Sequence, residues 1–491
     1  MSINSTQAGQ ILEQLKRLES GIEGLDSLLK GGFVAGASYI VQGRPGSGKT
    51  ILANQLGFNH VRNGGRVLVA TLLSESHERL FQYLSTLSFF DPSRIGNEIQ
   101  FVSAFDTLEN EGLDEVVKLL RREISRQKAT VLIVDGLLNA RSKAESQIDT
   151  KKFISELQGH AAFAGCTVLF LTSSRLDDGS PEHTMVDGVI ELGEELFNTR
   201  SVRRIQLRKT RGSGALSGLH ECEITDDGLV VYPRLESLYS HPSRVDSDDL
   251  TRQPSGVESL DGFIGGGLPR SSVTLVMGPS GIGKTSLGIC FLGASTPAEP
   301  GLLFGFYESP ARVRIKAQAL GYDFKAMEDA GALHMVWQPT TEGLLDGLGA
   351  RLLKQVDQHN IKRVLIDSLG GMARTATSAV RLTEFFSALM SELRARGVTV
   401  FATWEVRGLF GPEISTPAPD LSSIVDNILL TRFVEHESEL KRLLSILKVR
   451  DSFYDPSLLE LVINGHGIDL RKAFKNAEAV LSGSASTISK P

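Results

Sequence analysis

Short, unbroken apolar runs alternate with longer stretches of mixed polarity along the whole chain. Residues 37–41, 67–73, 130–135 and 167–172 are such runs, and a second set follows at 273–277, 302–307, 363–367 and 398–403. An apolar run of that length, without polar alternation, is the pattern of a strand covered on both faces, as in a parallel sheet. Between the runs, residues 112–127, 147–164, 341–358 and 379–396 read as helices of mixed polarity. Strand and helix in turn predict the α/β class, with a mostly parallel, doubly wound sheet in each half.

Two of the runs deliver the same loop. Residues 37–41 lead into Gly43-Arg44-Pro45-Gly46-Ser47-Gly48-Lys49-Thr50, and residues 273–277 lead into Gly278-Pro279-Ser280-Gly281-Ile282-Gly283-Lys284-Thr285. The two lysines stand 235 positions apart, and a stretch free of proline, 51–61 or 286–293, follows each loop. Strand, G-x-x-x-x-G-K-T and helix make a phosphate cradle: backbone N–H groups curl around a polyphosphate that a Cβ would obstruct, and the helix points its positive end at the anion. Gly43, Gly46, Ser47, Gly48 and Lys49, with Gly278, Gly281, Ile282, Gly283 and Lys284, are therefore the candidate ATP-binding residues. Lys49 and Lys284 would reach the β and γ oxygens, and Thr50 and Thr285 would offer a hydroxyl to Mg²⁺.

The duplication extends beyond the loops. Ser20-Gly21-Ile22-Glu23-Gly24-Leu25-Asp26 is repeated, again 235 positions on, as Ser255-Gly256-Val257-Glu258-Ser259-Leu260-Asp261. The strand after each loop helix is followed by an acid, Glu75 or Glu308, at 26 and 24 residues past the loop lysines. Such a carboxylate can take a proton from whatever attacks the γ-phosphate, although an acid at a strand end is often merely solvated. The central runs 130–135 and 363–367 close on Asp135 and Asp367, placed to orient Mg²⁺. Late in each repeat a basic strand closes on Lys-x-Arg, as Lys209-Thr210-Arg211 and Lys448-Val449-Arg450. Two cations sharing a face suit an anion, and a neighbour's γ-phosphate is the expected one; a solvated basic edge strand is the alternative.

Composition changes this picture little. The 491 residues are 41% apolar and 22% charged, with a net charge of −6, the wrong sign for a chain that chiefly coats nucleic acid. Cys166, Cys222 and Cys290 are too scattered for a disulfide framework or a zinc site, which fits a reducing cytoplasm. The polar N-terminus and the lack of eighteen consecutive apolar residues predict neither export nor membrane insertion. Polar residues 236–254 are expected to link domains at 18–235 and 255–481, after an N-terminal extension of 1–17 and before a small, polar, unstructured tail at 482–491.

With the doubled S-G-[IV]-E-x-L-D stretch, the P-loops, the Lys-x-Arg pairs and Ile428-Leu429-Leu430 after Ser422-Ser423-Ile424-Val425-Asp426, the chain resembles the KaiC family over about residues 18–481. The resemblance implies two tandem RecA-like P-loop NTPase domains in a homohexamer of two stacked rings. ATP would lie between subunits, hydrolysed in the N-terminal ring and used for self-phosphorylation in the C-terminal ring. Ser422 and Ser423 fall on the family's paired phosphorylation positions, with helix or turn capping as the alternative role. His183 and Thr184 occupy the corresponding places in the first half. Two departures stand out. Where the clock kinases carry two consecutive glutamates, this chain has Ser74-Glu75 and Tyr307-Glu308, and its C-terminal tail is short.

Two other function classes fit parts of this pattern. One is an ATP-dependent phospho-switch scaffold with little turnover, read by an adaptor or a histidine kinase. The other, disfavoured by the net acidity, is a recombinase- or helicase-like DNA-dependent ATPase.

Overall fold

The computed structural model describes residues 15–74, 76–137, 140, 147–173, 180–244, 251–339, 343–406, 421–436, 438–450, 452–465, 467–473, 477–478 and 486–487. The chain divides into two compact units, Met1–Leu238 and Tyr239–Pro491.

The first unit is built on nine strands: β1 (Ser38–Gly43), β2 (Val67–Thr71), β3 (Ile99–Ser103), β4 (Val131–Asp135), β5 (Thr167–Thr172), β6 (Gly188–Phe197), β7 (Arg200–Thr210), β8 (Leu219–Thr225) and β9 (Gly228–Tyr232). Their order is β9-β8-β7-β6-β1-β5-β4-β2-β3. The strands from β6 to β3 pair in parallel, whereas β6 to β9 form an antiparallel extension. The parallel part is the doubly wound sheet expected from the apolar runs.

Its strands bury both faces. Tyr39, Val41, Val67, Val69, Val131 and Ile133 enter one apolar cluster with the P-loop helix α1 (Lys49–Arg62). Ile40, Leu68, Leu132, Val134 and Phe170 enter another, with α3 (Leu113–Gln127) and α4 (Gln147–Phe163); α2 (His77–Leu84) precedes these and α5 (Pro181–Met185) follows them. Because strand side chains alternate, an uninterrupted apolar run is required for a sheet sandwiched in this way.

The second unit repeats the plan with β10 (Val273–Gly278), β11 (Gly301–Gly305), β12 (Leu333–Trp337), β13 (Arg363–Asp367), β14 (Thr399–Glu405), β15 (Asn427–His436), β16 (Glu439–Val449), β17 (Leu459–Asn464) and β18 (Gly467–Lys472). The order, β18-β17-β16-β15-β10-β14-β13-β11-β12, matches the first sheet strand for strand. Even the ladder irregularity recurs, between Val189 and Ile190 in β6 and between Ile428 and Leu429 in β15. Its helices include α6 (Lys284–Gly293), α7 (Pro310–Ala319), α8 (Leu345–Gln358), α9 (Leu382–Ala395) and the short α10 (Leu421–Ile424).

The repeated S-G-[IV]-E-x-L-D stretch is scaffold. Asp26 accepts from the backbone N–H of Ser20 (2.8 Å) and Gly21 (3.0 Å), and Asp261 from that of Ser255 (2.9 Å). Each turn is pressed against its P-loop helix. Asn59 of α1 donates to the Ser20 and Gly21 carbonyls, and a Cβ on Gly256 (φ +80°) would lie 1.9 Å from the Cys290 carbonyl of α6.

Three expectations are corrected or bounded. β2 and β11 end at Thr71 and Gly305, short of the expected 73 and 307, because the chain turns there toward α2 and α7, the latter with Pro310 in its first turn. β7 and β16 are interior strands over only part of their length: their outer partners meet residues 203–206 and 443–444, so Lys209 and Lys448 stand where each strand is paired on its inner side alone, the edge-like setting of the alternative reading. In the tail, Ser486–Thr487 pairs with Ala477–Glu478 in a small antiparallel ladder. The proline-containing loop 416–420 and Glu75 lie outside the described residues. Among the described residues, no helix is long and apolar enough to cross a membrane.

Candidate functional site

Each P-loop leaves the carboxyl end of the central strand of its sheet and closes on a helix N-terminus, β1 to α1 and β10 to α6. Gly46 and Gly48 have φ of +82° and +101°, Gly281 and Gly283 φ of +76° and +111°, left-handed values that glycine adopts without strain. A Cβ on Gly46 or Gly281 would meet no protein atom within 4 Å, so no other part of the protein packs against the loop there. At Gly48 and Gly283 the same atom would approach Ile224 (3.0 Å) and Ile463 (2.7 Å), residues of β8 and β17 that back the loop. Ser47 Oγ is buried without a hydrogen-bond partner among the described residues. This geometry fits a polyphosphate.

The lysines brace the curl. Lys49 Nζ donates to the Gly43 and Arg44 carbonyls (2.9 Å each), and Lys284 Nζ to those of Gly278 (2.8 Å) and Pro279 (2.7 Å). Burial pushes both ammonium groups below the ordinary lysine range, outweighing the upward pull of Asp135 on Lys49 and of Glu405 and Asp367 on Lys284. An anion seated against either lysine would replace the lost hydration.

Thr50 and Thr285 face the strand-end aspartates, as their places in the motifs predict. Thr50 Oγ1 donates to Asp135 (3.3 Å) and Thr285 Oγ1 to Asp367 (2.8 Å), whose other oxygen accepts from Thr403 of β14. A hydroxyl and a carboxylate beside a phosphate site are hard oxygen donors of the kind Mg²⁺ takes, the remaining ligands being phosphate and water. Among the described residues no cluster of three or more His, Cys, Asp or Glu could hold a metal without such help.

Over the second P-loop lies a cavity of 610 Å³ lined by Gly281, Lys284, Thr285, Tyr307, Glu308 and Asp367, among others. Strand alternation would turn Tyr307 and Glu308 to opposite sides, yet both line this cavity, because β11 has already ended and the strand rule no longer applies. Glu308 forms an ion pair with Lys316 of α7. Residues that no motif singles out complete the wall: Lys316, Thr403, Glu405 and Arg442. Arg442 has a counterpart in Arg203, whose Nη1 donates to the Gly46 carbonyl (2.8 Å). A signal for this pair exists in the sequence, since each arginine stands six residues before its Lys-x-Arg lysine.

The Lys-x-Arg cations converge, but on backbone oxygens of their own chain. Lys209 Nζ donates to the carbonyls of His183 (2.7 Å), Thr184 (3.3 Å) and Val186 (2.6 Å), and Arg211 to that of Thr184 (3.2 Å). Lys448 Nζ donates to the carbonyls of Ser422 (2.8 Å) and Val425 (2.7 Å), while Arg450 reaches the Ser423 carbonyl (3.4 Å) and the Asp426 carboxylate (3.0 Å). Each pair thus grips the last turn before β6 or β15. Ser422 and Ser423 are exposed on the gripped turn, and neither lines the cavity over Lys284.

Two matching P-loop sites in tandem, each with its gripped turn, narrow the field, and comparison with known proteins decides it. A family model described as the KaiC ATPase matches residues 18–236 and again 253–474. The chain belongs to the KaiC ATPase family. The circadian clock oscillator protein KaiC of Picosynechococcus is 26% identical, over 97% of this chain and 94% of its own. KaiC of Acaryochloris marina and KaiC 1 of Synechocystis are each 27% identical over 97% of this chain, covering 92% and 93% of theirs. The KaiC repeat accordingly accounts for both RecA-like units and for the strand-for-strand match of their sheets.

Proposed function

We propose that this KaiC-family ATPase works as a homohexamer of two stacked rings, hydrolysing ATP in its N-terminal half and phosphorylating Ser422 or Ser423 of a neighbouring copy in its C-terminal half. The observation that carries the reading is a separation: the exposed serines lie on the turn gripped by Lys448 and Arg450, not on the wall of the cavity over Lys284 in the same chain. A donor site and an acceptor turn that do not meet within one chain can meet across a subunit seam.

In this reading the backbone curls at Gly43–Gly48 and Gly278–Gly283 hold the β- and γ-phosphates, with Lys49 or Lys284 alongside. Mg²⁺, held near Thr50 and Asp135 or Thr285 and Asp367, would draw charge from the phosphate oxygens. In the C-terminal half the serine Oγ attacks the γ-phosphorus, the bond to the ADP oxygen breaks, ADP leaves, and the serine proton passes to Glu308. In the N-terminal half water takes the place of serine, with Glu75 as its base. Lys209 and Lys448 are engaged by carbonyls of their own chain. Arg211 and Arg450, with side chains 59% and 48% exposed, are then the members of each pair that extend to a neighbour's γ-phosphate. An output as a signalling or timing device, read by an adaptor or a histidine kinase, follows if the gripped turn changes shape on phosphorylation.

Mass measurement of the intact chain after incubation with MgATP, with peptide mapping across Ser422 and Ser423, tests this directly. K49A is expected to keep the phosphate and K284A to lose it. Equal labelling of the two variants, or an unmodified peptide from assembled wild-type protein, would overturn the division of labour.

A further inference from the structure

Glu308 is the proton acceptor that the proposed transfer needs, yet both of its carboxylate oxygens are constrained. Oε1 is bound by Lys316 Nζ, and Oε2 is buried with no hydrogen-bond partner among the described residues. Lys316 stands on the second turn of α7 and, with Glu308, Lys284, Thr285 and Arg442, lines the same cavity. A cation that occupies the base and also borders the phosphate site has two rival anions within its reach.

The sequence places this lysine in one half only. Lys316 stands eight residues after Glu308, and eight residues after Glu75 stands Tyr83, which carries no charge. Tyr83 is exposed on α2 and accepts from Arg79 at 2.9 Å. Nothing about a P-loop fold therefore demands a lysine at this place.

We propose that Lys316 exchanges partners, leaving Glu308 for the γ-phosphate of a nucleotide seated over Lys284, so that arrival of a triphosphate both pins the nucleotide and frees the base. The inference rests on the reading of Glu308 as the proton acceptor for its second half, and on the phosphate cradle alone for its first. A terminal phosphate bearing close to two negative charges outcompetes a singly charged carboxylate for a compact ammonium group. A diphosphate ends short of the exchange and leaves the ion pair closed. Lys316 thus makes the C-terminal site discriminate triphosphate from diphosphate and couples that discrimination to release of one proton-accepting oxygen. No covalent bond changes in the exchange itself; the freed carboxylate then accepts the serine proton as above.

The test is binding, so it stands apart from catalysis. Equilibrium dialysis of the full-length K49A chain against AMP-PNP or ADP with Mg²⁺ gives the preference of the second site for triphosphate. K316Q is expected to lose about tenfold of that preference, K316R to retain it, and E308Q, which releases the lysine from its rival, to raise it. The E308Q/K316Q double variant should fall to the K316Q level. A K316Q preference equal to that of the parent chain, or an E308Q preference lowered as far as that of K316Q, would overturn the exchange and make the ion pair a structural contact. Should Ser422 and Ser423 never be phosphorylated, the kinase reading fails while these binding ratios remain measurable.

Discussion

Replacing Gly281 by alanine separates what the P-loop does for folding from what it does for a ligand. Gly281 has φ of +76°, and its added Cβ would meet no protein atom within 4 Å. The only folding cost is the left-handed backbone, about 1 kcal/mol for an L-residue. In a unit of this size that lowers the unfolding temperature by about 2–4 °C. Gly281 lines the cavity over Lys284, so a methyl group added there is expected to crowd a phosphate drawn to the backbone N–H groups of the loop. A loss of about tenfold in affinity, equivalent to about 1.4 kcal/mol, is expected from displacing them. Gly283→Ala behaves differently, because its Cβ approaches Ile463 at 2.7 Å and its φ is +111°, so it should lose more stability than Gly281→Ala. Both tryptophans of the chain, Trp337 and Trp404, belong to the second half, which lets intrinsic fluorescence report on this site while the first P-loop remains intact. Nucleotide titration followed by fluorescence, with equilibrium dialysis to count bound ligand, gives the affinity, and thermal unfolding gives the stability. A Gly281→Ala protein that binds MgATP at the second site within about twofold of wild type, against the tenfold loss expected, would refute the cradle.

Three further outcomes follow from the same geometry. Burial holds Lys284 below the usual lysine range, so its charge costs stability at neutral pH, and that cost fades as pH rises through its folded value toward 10.5. Lys284→Met also strips the donor from the Gly278 and Pro279 carbonyls, so the pH trend is the readout: its stability relative to wild type should fall as pH rises toward 10.5, while nucleotide no longer stabilises the second unit; a relative stability that stays flat or rises over that range would contradict this. Thr285→Val removes the hydroxyl that bonds Asp367 at 2.8 Å and should weaken nucleotide binding in Mg²⁺ but not in excess chelator, as calorimetric titration would show. Burial pushes the Cys166 and Cys222 thiols up to about 12 and the Cys290 thiol up to about 11, so all three should resist alkylation in mildly alkaline buffer until the chain is denatured, read by mass.

The parts of the site that are close along the chain are legible in the sequence alone. A motif of eight residues that joins a strand end to a helix start carries its own geometry, and an apolar run ending in aspartate fixes which end of the strand bears the acid, so Lys49, Thr50, Asp135 and their second-half counterparts meet where expected. Residues brought in by the antiparallel extension are not legible in this way. Arg203 and Arg442 reach the P-loops because β7 and β16 lie two strands from the central ones, an adjacency set by sheet order and invisible in local pattern. Lys316 escapes a reading by motif because its role depends on α7 folding back over the end of β11. The Lys-x-Arg pairs are recognisable as cations sharing a face, while their carbonyl targets on the preceding turn depend on how the chain enters β6 and β15.

The most direct measurement of the central claim is transfer between two incomplete chains. Full-length K284A, which keeps Ser422 and Ser423 but lacks the second-site lysine, is mixed and reassembled with an S422A/S423A chain that keeps the lysine but lacks the acceptors. Peptide mass mapping after incubation with MgATP follows. Phosphate on Ser422 or Ser423 of the K284A chain, and only in the mixture, is the predicted result. A mixture in which that chain stays unmodified, while wild type alone is phosphorylated at the same serines, would show that donor site and acceptor turn meet within one chain.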